Sequence, residues 1–212
     1  MGLLDTLLGR TKPVKANLDG LFALPAAAVT LQAATGLVSS GQAGVCFKAP
    51  AGQAFAQMEA DVERLINTDD PLGGPDPADS QSRALRHQTD SFGYHWIVVE
   101  AAGLDDLVTA VHMVHSSLED AGWSQQLLCS VFGFAMGSEP GADPEALGPG
   151  TGGRHLYLIY LAKRGTFYPF CPAGGENRDA ETELRVRGVL GEDLPVETDT
   201  SRWFPLWDLP VA

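Results

Sequence analysis

The stretch HLYLIYLA, residues 155–162, constrains the fold more than any other. Its apolar side chains run on without alternating. A half-exposed strand alternates apolar and polar residues at period two, so a strand that scarcely alternates is one covered on both faces. A chain of 212 residues is long enough to build that cover in one domain.

Other segments supply the rest of a sheet and its helices. AGVCFKA (43–49) reads as a short buried strand, HQTDSFGYHWIVVEA (87–101) as a strand strongest over Tyr94–Val99, and LLCSVFGFAM (127–136) as a third. After the turn at Lys163, Arg164 and Gly165, TFYPFC (166–171) is a last strand. Pro169 has no N–H to give a ladder, so that strand is an edge or breaks there. Helices are predicted from Pro25 to a stop at Gly36, over 53–67, over 104–121 with a stop at Gly122, and over 178–190 with Asn177 or Asp179 as cap. The order predicts an α+β fold, an antiparallel or mixed sheet of about five strands with helices packed on it. Two Gly/Pro-rich stretches, 69–82 and 137–153, read as flexible insertions. The division expected is an N-terminal leucine-rich basic segment, 1–16, followed by a single domain, 17–212.

The formal net charge of −13 disfavours nucleic acid, whose phosphates are met by clustered Lys and Arg. Residues 1–15 run the other way. Arg10, Lys12, Lys15 and the α-amino group outweigh Asp5, for about +3 near neutral pH. Leu3, Leu4, Leu7 and Leu8 form one apolar helical face there. Half-burying them contributes roughly 3–6 kcal/mol against a backbone ordering cost of roughly 8 kcal/mol. The segment therefore needs help from its own core, a protein partner or an anionic membrane surface. It has no signal-peptide pattern, because Asp5 and Thr6 break the leucines and the charges come after them. The expected location is the cytoplasm, with weak peripheral contact at the inner membrane face left open.

Few residues suggest chemistry. His112 and His115 lie three apart on the 104–121 helix and could face one metal, but a site needs a third ligand and an oriented surround. Cys46, Cys129 and Cys171 are odd in number, widely spaced and set in apolar runs, so they read as small buried hydrophobes. GPGTGGRH (148–155) lacks the lysine and hydroxyl of a phosphate loop and precedes a strand. Glu119 and Asp120 read as a solvated helix end. Trp203, Phe204 and Trp207 make the tail aromatic and read as a lid folded over the sheet, or as a binding surface if exposed.

In order along the chain, MGLLDTLLGRTKPV, LFALPAAAVTLQAATGL, HSSLEDAGWSQQLLCSVFGF, YLAKRGTFYPF and LPVETDTSRWFPLWDLP resemble the PspA-associated protein PspAB family, over nearly the whole length outside the two insertions. The resemblance implies a small cytoplasmic accessory component of the phage-shock envelope-stress system of actinobacteria and related bacteria. It carries no established catalytic residues, metal or cofactor.

The reading is thus a non-enzymatic protein that binds a partner of the stress machinery, with PspA as the named candidate. Its contact residues are expected among Leu3, Leu4, Leu7, Leu8, Arg10, Trp203, Phe204 and Trp207. Two alternatives are a metal-dependent or small-molecule enzyme using His112 and His115, and a weak membrane sensor acting through residues 1–15.

Overall fold

Pro25 occupies the first turn of a helix, where its missing N–H costs nothing, and Gly36 ends that helix in the left-handed conformation at φ 75°. This is α1, Leu24–Thr35, entered through a short 3-10 turn at Asp19–Ala23. The computed structural model describes residues 18–48, 60, 84–136 and 155–211. The predicted helix over 53–67, both insertions and the N-terminal segment lie outside the described residues, apart from Ala60.

Six strands follow: β1 (Leu37–Phe47), β2 (Ala84–Thr89), β3 (His95–Glu100), β4 (Leu127–Met136), β5 (His155–Leu161) and β6 (Thr166–Phe170). They form one sheet in the order β2-β3-β1-β4-β5-β6, with every neighbouring pair antiparallel. The fold is α+β, with six strands where the sequence suggested about five.

The extra strand comes from a hairpin that splits the 87–101 stretch and begins before it, at Ala84. Asp90 Oδ1 accepts the backbone N–H groups of Phe92 and Tyr94, both at 2.9 Å, and Gly93 takes φ 79°. These contacts fold the chain back, so that β2 pairs with β3 from Ala84–Glu100 to Thr89–His95. β1 also begins earlier than its apolar pattern. The polar run Ser39–Gln42 has no strand periodicity, yet its backbone joins the ladder through an irregularity between Ser39 and Ala43, where Gly41 sits at φ 79°.

β6 is an edge, as Pro169 demanded. Phe167 turns its N–H outward to Pro195 O and its carbonyl to Glu197 N–H. Pro169, two residues on, faces the same side, so its missing N–H removes no ladder bond.

One sheet face carries Val45, Ile97, Phe132, Leu158 and Tyr160 against three helices. These are α1, α2 (Leu104–Asp120) and α3 (Ala180–Leu190), and α2 contributes Leu107, Val111, Val114 and Leu118. Asp179 caps α3, its carboxylate accepting Thr182 N–H at 3.0 Å and Thr182 Oγ1–H at 2.7 Å. Among the described residues, no helix is long and apolar enough to cross a membrane.

The other face carries Trp96, Val98, Val131, Ile159, Tyr168 and Phe170, and among the described residues no helix covers it. Residues 203–211 lie over it instead, without regular secondary structure. The both-face cover implied by β5 is therefore helical on one side and an irregular strap on the other. Gly44 makes room for the strap: a Cβ there would lie 2.9 Å from Val211 Cγ2 and 3.2 Å from Trp96 Cε3. Gly44→Val should lift the strap's end and cost about 1–3 kcal/mol, read as a lower urea midpoint. An unchanged midpoint would mean that Val211 does not depend on that close approach.

Candidate docking groove

An irregular strap cannot satisfy its own backbone, so side chains from the sheet must do so. Tyr168 Oη donates to Phe204 O at 2.9 Å and Tyr157 Oη to Val211 O at 3.1 Å. Arg178 Nη1 donates to Trp203 O at 2.7 Å and Arg86 Nη2 to Pro210 O at 3.1 Å. Trp203 is buried, stacks on Tyr168 and donates its indole N–H to Glu197 O at 3.1 Å. Its ring removes roughly 150–250 Å² from water, a gross contribution of roughly 4–6 kcal/mol.

Two carboxylates secure the start of the strap. Glu183, buried on α3, shares the Arg178 Nε–H between its two oxygens and accepts the Cys171 N–H, with Arg178 Nη2 at 2.7 Å. Arg178 also lies over the Phe170 ring at 5.7 Å. Glu197, also buried, pairs with Arg164 and accepts from Thr166 Oγ1 and Asp199 N–H, both at 3.1 Å. The Arg164 guanidinium is the largest of the contacts that hold its carboxyl below the usual range.

Between residues 204–207 of the strap and the β2–β3 turn lies an apolar groove of about 390 Å³. Trp96, Tyr168, Cys46 and Cys129 lie among its lining residues. Its rim is unusually apolar for solvent-facing positions: Phe92 is 68% exposed, Phe204 60%, Leu128 38% and Tyr94 36%. Two ionisable groups lining it, Asp90 and Tyr168, are engaged. Asp90 gives Oδ1 to the turn and Oδ2 to Trp96 Nε1–H at 3.0 Å. Burial pushes the Tyr168 hydroxyl up and it remains a protonated donor to the strap. Its exposed rim offers apolar contact area.

The predicted site residues separate. Trp203 is part of the core, Trp207 is half-buried against Phe170, and Phe204 stands on the rim, so the aromatic tail is partly lid and partly surface. Leu3, Leu4, Leu7, Leu8 and Arg10 lie outside the described residues. Among the described residues, His112 and His115 do not converge on a third ligand. His115 is buried with Nε2 at 2.5 Å from Ser130 Oγ, and its pKa is lowered to about 3 by burial and the neighbouring His112, so it is neutral. His112 packs against the Phe22 ring at 5.1 Å. Among the described residues, no three of His, Cys, Asp and Glu group as metal ligands would. Glu119 and Asp120 end α2, Asp120 exposed.

Sequence reasoning missed Asp90, Phe92 and the opposition of Cys46 to Cys129 across β1 and β4. The first two had a legible signal in the D-S-F-G turn. The cysteine pair had none, because nothing in the spacing states which strands are neighbours.

Two outcomes follow for the strap's anchors. Arg178→Ala strands the buried Glu183 charge and should cost about 3–5 kcal/mol by chemical denaturation, while a change below about 1 kcal/mol would mean water replaces the arginine. Glu197 has a folded pKa below its unfolded value of about 4.3. Its stabilisation is therefore present above that value and lost as pH falls through the folded one. Glu197→Gln should lower stability at pH 7 and flatten the acid-side decline, as read from urea midpoints across pH. Parallel pH curves for the two proteins would contradict this.

No curated protein and no solved structure matches the chain significantly. A family model described as PspAB, PspA associated protein B, matches residues 1–211. With that match spanning almost the entire sequence, the chain belongs to the PspA associated protein B family.

Proposed function

We propose that the protein is a non-enzymatic accessory component of the phage-shock envelope-stress response that works by binding a protein partner, PspA being the first candidate. One observation carries this reading: an apolar groove with exposed aromatic residues on its rim, on a chain whose family is described by its association with PspA. Exposed aromatics around a small apolar depression are the usual anchors of a protein interface. Asp90 and Tyr168 in the groove are committed to internal bonds, and the exposed rim offers apolar contact. The acidic balance of the chain argues against nucleic acid as the partner. In this reading the protein is cytoplasmic and reaches the inner membrane face through its partner, with residues 1–15 adding weak basic contact.

Capture of PspA from stressed cells by the full chain tests the proposal. Retention above an unrelated acidic protein is expected. Phe92→Ser with Phe204→Ser should reduce it by about tenfold or more, since rim aromatics contribute strongly at interfaces. Both side chains are exposed, so folding should change by no more than about 0.5 kcal/mol. Absent enrichment rejects the partner; enrichment indifferent to the double substitution rejects the groove.

A further inference from the structure

Cys46 on β1 and Cys129 on β4 are register partners, directly opposite one another on the strap-covered face. They lie 3% and 6% exposed and line the groove, within reach of a molecule as small as water. The neighbouring Cys129 side chain and burial both push the Cys46 thiol pKa up. Cys171 is buried on the opposite face of the sheet and does not line the groove.

Directly opposed residues on antiparallel strands have Cβ atoms about 4.5–5.5 Å apart, slightly beyond the roughly 3.5–4.5 Å of a relaxed disulfide. The register shifts immediately after Cys46, and such an irregularity gives the backbone slack to close the difference. A bond formed this way is strained and easily reduced, the property of regulatory rather than structural disulfides.

We propose that Cys46 and Cys129 are a peroxide-modification site, a dithiol at the groove that a hydroperoxide converts reversibly to a cross-strand disulfide. The Cys129 sulfur attacks one peroxide oxygen. The O–O bond breaks, hydroxide leaves and takes up the thiol proton as water, and Cys129 becomes a sulfenic acid. The Cys46 sulfur then attacks the Cys129 sulfur. The S–O bond breaks, and the departing hydroxide takes the Cys46 proton as a second water. Two thiols and one hydrogen peroxide yield one disulfide and two waters, the sulfurs supplying both electrons. Oxidation ties β1 to β4 beneath the strap and does not depend on which partner the groove serves.

The test exposes the folded full-length protein to graded hydrogen peroxide, alkylates it in denaturant and maps the peptides. A linked Cys46–Cys129 peptide is expected, with both thiols lost together, Cys171 oxidised at least about tenfold more slowly, and dithiothreitol restoring all three. In Cys46→Ser the reaction should stop at a Cys129 sulfenic acid that dimedone traps. Oxidation of Cys171 in step with the pair, linkage only between molecules, or unreacted Cys46 and Cys129 in the folded wild-type chain would overturn the proposal.

Discussion

The structure depends on burying a sheet from both sides with two unlike covers. Helices are self-sufficient in backbone hydrogen bonds and need only an apolar stripe to pack, which α2 supplies through Leu107, Val111, Val114 and Leu118. The strap has no such economy. Its carbonyls lack regular partners, and Tyr157, Tyr168, Arg86 and Arg178 donate to four of them from separate places. Beside the strap that face keeps a groove.

The polar side chains of this face are consequently spent on architecture. Arg178 joins Glu183, Trp203 O and the Phe170 ring, and Glu197 joins Arg164, Thr166 and Asp199. Perturbed ionisation here has structural causes. The same holds for His115, whose burial beside Ser130 makes it neutral and fixed within the core. Around the groove, the exposed side chains of Phe92, Phe204 and Leu128 are apolar. That division of labour is the physical basis for reading the molecule as a binding protein.

Much of the fold was legible because its signals are local. Gly36, the register of α2, the continuous apolar run of β5 and the edge position forced by Pro169 each follow from residues within one element. The β2–β3 hairpin was partly legible, since Asp90 and Gly93 mark a turn, but the apolar weight of 94–99 drew the whole stretch into one strand. The groove was scarcely legible. Its walls come from the hairpin turn, the strap and strands β1 and β4, and only strand order brings them together. The tail's aromatics illustrate the limit: composition marked all three, but only packing separates buried Trp203 from exposed Phe204.

The central claim is that the strap-covered face, not the helical face, meets the partner. Hydrogen–deuterium exchange of the full chain with and without PspA measures this directly. The account predicts added protection in the hairpin turn 90–94 and the strap 203–207, with α2 unchanged. Protection confined to α1, α2 or α3, with the turn and strap exchanging as before, would contradict it.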